Sequence, residues 1–214
     1  MKYEVLLFDL DGTLTESGTG IINAVKYALS QYGIEENDVE TLNKFIGPPL
    51  VRSFSEIYGF SEEKSMEAVL KYREYYSTKG LFKNELYEGI DKLIPDLKNA
   101  GYKLVLATAK PEMFTFRIME HFGLDKYFDF IAGALDSEKR IEKHEIIEYA
   151  LESINADKEK CIMIGDRKND IEGAKMNGLE SLGVLYGYGS REEHEKHGAT
   201  YIVETVEDLR RFFL

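Results

Sequence analysis

The sequence predicts an α/β fold: a parallel sheet flanked by helices, with a small all-helical segment inserted after the first strand. Three observations predict it. Short apolar runs of strand length recur along the chain, several of them ending on polar residues. Amphipathic stretches of helical period separate the later runs, and alternating strand and helix implies parallel pairing with both sheet faces covered. Between Leu14 and about Phe82 the alternation stops, and only helical patterns are found.

The first run, Glu4–Phe8, contains Val5-Leu6-Leu7-Phe8, an unbroken apolar series that suits a strand buried on both faces. In the helical interval, Ile21–Tyr32 lines up Ile22, Val25, Ala28, Leu29 and Tyr32, with Gly33 behind it. A second helix is expected over Val39–Phe45, stopped by Gly47-Pro48-Pro49, and Leu50–Tyr58 and Glu62–Ser77 complete the set. The alternation then resumes with the helix Gly89–Ala100, whose Ile90, Leu93, Ile94 and Leu97 share one face ahead of Gly101. After it come strand Lys103–Ala107, helix Met113–Phe122, strand Phe128–Ala132, helix His144–Ile154, strand Lys160–Ile164, helix Ile171–Asn177 and strand Ser181–Leu185. The expected division is a core domain of 1–15 and 82–214, and a helical domain of 16–81.

A length of 214 residues accommodates one domain, or one with an insertion. The composition, 43% hydrophobic and 31% charged, is that of an ordinary globular protein. A net charge of -12 argues against broad binding to nucleic acid or anionic membranes. It also means that an anionic substrate requires a divalent cation or a local basic cluster. The single cysteine, Cys161, excludes an internal disulfide framework and fits a reducing compartment. No run is long and apolar enough for a membrane span, and the first strand leaves no room for a signal peptide. The expected location is cytoplasmic, with no nucleic-acid or membrane partner.

In an open parallel sheet, ligands bind beyond the carboxyl ends of the strands. The residues placed there are Asp9 and Asp11 after the first strand, Thr108 and Lys110 after the second, and Asp166 and Asp170 after the fourth. Acids gathered at one point repel each other, and a cation resolves the conflict. Carboxylates without cysteine or histidine partners point to Mg²⁺, which commonly binds through one or two carboxylates and a substrate phosphate. Thr108 can donate a hydrogen bond to such a phosphate. Thr108-Ala109-Lys110-Pro111 reads as a helix start whose free N–H groups favour an anion. These are the parts that phosphoryl transfer needs.

The residues also resemble a known family. Asp9-Leu10-Asp11-Gly12-Thr13, Thr108, Lys143 and Gly165-Asp166-Arg167-Lys168-Asn169-Asp170 are similar, in order and spacing, to the four motifs of the haloacid dehalogenase superfamily. The resemblance covers essentially the whole chain and implies a Rossmann-like core with a helical cap. Ile46-Gly47-Pro48-Pro49-Leu50 and Leu185-Tyr186-Gly187-Tyr188-Gly189 resemble the phosphoglycolate-phosphatase-like subgroup. The resemblance implies that Asp9 is the nucleophile forming an aspartyl-phosphate, and that Asp11 is the acid and base. Asp9, the Asp11 carbonyl and Asp166 would hold Mg²⁺, with Asp170 orienting the lysine or serving the metal. Thr108, with Ala109 and Lys110, would bind phosphate, and Lys143 would offset charge. An acid at Asp11 favours a phosphatase or phosphomutase over a dehalogenase, since a departing alkoxide needs a proton and a halide does not. The implied partner is a small phosphorylated metabolite, with the chain a monomer or small homo-oligomer. Phosphoglycolate, nucleoside 5′-monophosphates, sugar phosphates and pyrophosphate all stay open as substrates, as does a sugar phosphomutase reaction.

Each position also has a plainer reading. Asp-x-Asp-Gly occurs in turns, Thr108 suits a strand end, and Asp170 suits a helix cap. Lys139 and Arg140 lie close enough to compete with Lys143 as the motif lysine. Lys110 and Lys168 either draw in an anion or are simply exposed, and Arg52 could reach substrate from the cap. Cys161 reads as core packing. His194 and His197 read as part of a solvated helix, and Gly187-Tyr188-Gly189 as a turn beside the site.

Overall fold

The structure is a computed structural model in which residues 2–135 and 140–214 are described. The backbone divides into two compact units, Met1–Thr15 with Leu86–Leu214, and Glu16–Glu85. The first unit is built on a six-stranded sheet. Its order is β5 (Phe130–Ala134), β4 (Lys103–Pro111), β1 (Val5–Phe8), β6 (Cys161–Gly165), β7 (Glu180–Val184) and β8 (Tyr201–Val203). Every pairing is parallel. In chain order the six run 3-2-1-4-5-6, the doubly wound arrangement, with its switch point between β1 and β6.

The apolar run explains why β1 takes the centre. Leu7 and Val5 join Val105, Ala107, Cys161 and Met163 on one face. That face is covered by Ile146, Ile147, Ala150 and Leu151 of α7 (Lys143–Ser153) and by Ala174 of α8 (Lys168–Met176). Leu6 and Phe8 alternate to the other face, where Leu104, Leu106, Ile162 and Ile164 are equally buried. A strand buried on both sides cannot alternate apolar with polar, and this one does not.

The remaining helices of this unit are α5 (Ile90–Asn99), α6 (Glu112–His121), α9 (Arg191–His197) and α10 (Val206–Phe213). Three differences from expectation have physical reasons. Strand β8 and helix α10 were not anticipated, because a strand as short as Tyr201–Val203 carries too little periodicity to read. The helix start expected at Thr108-Ala109-Lys110-Pro111 is not formed there: these residues stay in β4, which continues through Pro111 (φ -54, ψ 134) after a shift in register, and the helix begins at Glu112, one residue before the expected Met113. Proline bars its preceding residue from helical geometry, which keeps Lys110 in the strand. Helix α8 starts three residues before the expected Ile171, because Asp170 caps its first turn.

The second unit holds α1 (Gly18–Ser30), α2 (Val39–Asn43), α3 (Leu50–Tyr58) and α4 (Glu62–Tyr75), the last running into a π-helical turn at Tyr76–Gly80. Its core is aromatic: Phe45, Phe54, Phe60, Tyr72 and Tyr76 are buried, with Phe45 and Phe54 centroids 5.0 Å apart. Ser61 caps α4 by accepting from the Lys64 N–H at 3.3 Å. A two-stranded ribbon, β2 (Thr15–Glu16) with β3 (Glu85–Leu86), marks where the chain leaves for this unit and returns. No helix among the described residues is long and apolar enough to cross a membrane.

Candidate active site

Strands β1, β4 and β6 are neighbours, so the residues following them are set side by side by the sheet itself. The Asp9 N–H donates to the Ile164 carbonyl at 2.9 Å, which ties the first residue beyond β1 to β6. Asp9 and Asp11 are both buried. The chain turns sharply after them, with Gly12 donating to the Thr15 carbonyl at 2.8 Å and Leu14 to the Leu10 carbonyl at 2.9 Å. Gly12 has φ +83°, and a Cβ there would lie 2.1 Å from Asp166 Oδ2. Only glycine satisfies both the left-handed backbone and the close approach.

Lys143 is the first residue of α7 and is buried. Its ammonium lies 2.7 Å from Asp9 Oδ1 and 2.7 Å from Asp170 Oδ1, and donates to the Ala107 carbonyl at 2.9 Å. Asp170 serves two ends at once, since its Oδ2 accepts from the Arg167 N–H at 3.0 Å. The cap and the site partner are therefore one carboxylate. Asp166 is fully buried; its Oδ2 accepts from the Tyr188 N–H at 2.8 Å and its Oδ1 has no hydrogen-bond partner among the described residues. Asp11 turns elsewhere, pairing through Oδ2 with Lys110 Nζ at 2.5 Å. Thr108 is buried beside them and accepts from the Lys110 N–H at 3.3 Å. Ala109 is half-buried between the two and packs against the apolar cluster beneath.

Burial dominates the electrostatics. Desolvation pushes the Asp9 carboxyl up to about 6; Lys143 opposes this, Asp170 adds to it and the Thr108 hydroxyl opposes it weakly. Asp166 is driven well above the ordinary carboxylate range by desolvation, then by the charges of Asp170 and Asp9. Lys143 loses to desolvation but gains more from Asp170 and Asp9, so its ammonium is held above the usual lysine value. Both raised carboxyls bind protons more tightly in the folded chain than in the unfolded one, where they titrate near 4. Their contribution to stability is present below about pH 4 and is lost as pH rises, through about 6 for Asp9 and in the same direction for Asp166. Metal-free protein is therefore expected to gain less stability than an Asp166→Asn variant between pH 5 and pH 7.5. Thermal melts of both in chelator check this, and parallel curves would contradict it.

Asp9, Asp166 and Asp170 offer carboxylate oxygens that all lie within 4.8 Å of one another. Lys143 supplies one positive charge against these three carboxylates, leaving a formal excess of negative charge. The excess, the unpartnered Asp166 Oδ1 and the absence of sulfur or imidazole in the cluster fit a hard divalent cation. The Asp11 carboxylate stands outside this group.

The other sequence expectations fare variously. Lys139 lies outside the described residues. Arg140 is buried, reaching the Gly133 carbonyl at 2.9 Å and the Glu112 carboxylate, and does not compete with Lys143. Arg52 pairs with Glu56 one turn along its own helix at 2.8 Å. Cys161 is core, its thiol pushed up to about 11 by burial. His194 overturns the solvated reading: it is fully buried, with Nε2 3.2 Å from the Val184 carbonyl, because α9 packs that face onto β7. His197 contacts Glu172 at 2.7 Å. Two contributors were missed. The Tyr188 N–H holds Asp166, and Glu193 accepts from the Lys168 N–H at 2.7 Å and from Arg167 Nε at 3.1 Å. The Gly-Tyr-Gly spacing hinted at a tight loop there, and Ser190-x-x-Glu193 at a helix start.

Comparison with known proteins gives the family. The family model described as haloacid dehalogenase-like hydrolase matches residues 6–184. A 5′-nucleotidase of Pseudomonas aeruginosa is 41% identical over 99% of this chain and 96% of its own. A tyrosine-protein kinase, PtkA of Mycobacterium tuberculosis, is 34% identical over 97% of this chain and 71% of its own. The crystal structure of a predicted phosphatase from Clostridium acetobutylicum superposes with a TM-score of 0.95 at 48% identity, covering 99% of this chain and 98% of that one. Motif order, sheet order, the clustered acids and these likenesses agree: the chain belongs to the haloacid dehalogenase-like hydrolases and is a phosphatase of that family.

Proposed function

We propose that the chain is a Mg²⁺-dependent phosphomonoesterase that hydrolyses a small phosphorylated metabolite through an aspartyl-phosphate on Asp9. The observation that carries this reading is the buried Lys143 ammonium shared by Asp9 and Asp170, with a second acid, Asp11, two residues from the first. Asp9, Asp166 and the Asp11 carbonyl would hold the cation, with Asp170 beside them; when bound it would offset the excess negative charge and that of the substrate phosphate. Lys143 holds Asp9 Oδ1, which fixes the carboxylate and leaves Oδ2 to attack phosphorus. The bond from phosphorus to the leaving oxygen breaks as Asp11 gives that oxygen its proton. Asp11, now a carboxylate, takes a proton from water, whose oxygen bonds to phosphorus and releases Asp9. Thr108 and the backbone at Ala109 and Lys110 bind the phosphate oxygens. The helical cap, 16–81 by sequence, is assigned the choice of substrate, because every group named here belongs to the α/β unit.

A nucleoside 5′-monophosphate is the first substrate to test, given the activity for which the 41% identical relative is named. Phosphoglycolate, indicated by Ile46-Gly47-Pro48-Pro49-Leu50 and the Tyr186 loop, is the second. Phosphate release across a panel of monoesters, with Mg²⁺ and with chelator, decides the matter. The expected result is one phosphate per substrate consumed, abolished by chelator. Substrate loss without phosphate release would identify a phosphomutase, and undiminished turnover in chelator would remove the metal from the reading.

A further inference from the structure

The short helix α9 carries no motif residue, yet Glu193 reaches the turn between Asp166 and Asp170, and His194 packs against Gly183 and Gly189, the latter beside Tyr188, whose N–H holds Asp166. Glu193 Oε1 accepts from the Lys168 N–H at 2.7 Å and from Arg167 Nε at 3.1 Å. Lys168 is the first residue of α8, and the N–H of Arg167 is the group that Asp170 Oδ2 accepts. Glu193 thus takes one of the free donors at the start of α8 and pins the turn that aims Asp170 Oδ1 at Lys143. The adjacent His194 fills the space above Gly183, where a Cβ would lie 2.7 Å from its ring, and a Cβ at Gly189 would lie 3.3 Å from the same ring. A Cβ at Gly189 would lie 1.8 Å from the Asp166 carbonyl, and the next residue back, Tyr188, supplies the N–H that holds Asp166 Oδ2. One helix therefore contacts both the first turn of α8 and the loop whose Tyr188 N–H holds Asp166.

We propose that Glu193 is a positioning residue of the phosphatase site, setting the geometry of Asp170, and through it Lys143 and Asp9, by anchoring the first turn of α8. The proposal rests on the functional reading above. Groups that orient metal-binding carboxylates matter nearly as much as the carboxylates, and their loss typically weakens metal binding ten- to a hundredfold. Glutamine keeps an oxygen that can accept from Lys168, whereas alanine leaves the Lys168 N–H and the Arg167 guanidinium without this acceptor.

The test compares wild type, Glu193→Ala, Glu193→Gln and, as a control on the same helix, Arg191→Ala, whose side chain pairs with the exposed Glu204 at 2.9 Å. Binding of Mg²⁺ alone is measured by titration calorimetry, alongside melting temperature, kcat and KM. Glu193→Ala is expected to bind Mg²⁺ roughly tenfold or more weakly and to lose kcat with little change in KM. Glu193→Gln should recover most of both, and Arg191→Ala should match wild type. Wild-type Mg²⁺ binding and kcat in Glu193→Ala would overturn the proposal alone. So would a melting temperature lowered equally in both Glu193 variants with their Mg²⁺ affinities matched. A wild-type protein that binds no Mg²⁺ and releases no phosphate would overturn the functional reading, and the proposal with it.

Discussion

Asp9→Asn is expected to remove phosphate release by a factor on the order of 10⁴ or more, the scale at which losing a covalent nucleophile is felt. An amide oxygen is too weak a nucleophile to displace an alkoxide from phosphorus, and no other acid in the cluster follows β1 at that point. The fold should tolerate the change well. Asp9 is a desolvated carboxyl whose proton affinity is raised, so its ionised form is a cost that asparagine, equal in shape, does not carry. Lys143 keeps Asp170 as counter-ion. The melting temperature of metal-free Asp9→Asn at neutral pH should therefore equal or exceed that of wild type. Residual turnover above about a hundredth of wild type, in protein with a native melt, would be incompatible with Asp9 as nucleophile.

Lys143→Met should damage both function and stability. It removes the ammonium shared by Asp9 and Asp170 and leaves the Ala107 carbonyl without this donor. Breaking a buried ion pair by deleting one partner costs about 3–5 kcal/mol, because the remaining charge is stranded. The deficit should depend on pH. Without the lysine the Asp9 carboxyl holds its proton still more tightly, so the variant is least impaired near pH 5 and loses ground toward pH 8, where that carboxyl must ionise. The Lys143 ammonium, raised above its unfolded value, is fully charged throughout that range and gives wild type no matching slope. Mg²⁺ should restore part of the stability at pH 8 and none of the turnover. Denaturant unfolding at the two pH values, with and without Mg²⁺, reads this directly; a pH-independent deficit would mean that Lys143 serves only as packing.

Much of this site was legible because its residues carry local signals. Asp9 and Asp11 end an unmistakable core strand, and Gly165-Asp166 follows another. Lys143 opens an amphipathic helix, a place where a lone basic residue on the buried side stands out. The illegible parts are tertiary. The N–H that holds Asp166 comes from Tyr188, and a backbone donor has no sequence signature. Glu193 reads as one more acid in the run Arg191-Glu192-Glu193-His194-Glu195, and nothing local says that it faces α8. The burial of His194 is hidden for the same reason: a seven-residue helix is too short for its polar composition to reveal which side packs. Strand β8 failed by brevity, and Lys110 by ambiguity, since only the fold could pair it with Asp11.

The central position of β1 has a consequence for synthesis. It is made before every other strand of this sheet, yet its partners begin at Lys103 and Cys161. At ~5–20 residues per second, Val5–Phe8 waits roughly ten to thirty seconds for its second neighbour. The helices of 16–85, contiguous in the chain, can pair during that interval, while the strand that precedes them stays apolar and unpaired. Chaperone dependence and aggregation of nascent chains should therefore concentrate in Val5–Phe8, well before Lys143 and Asp166 arrive beside Asp9.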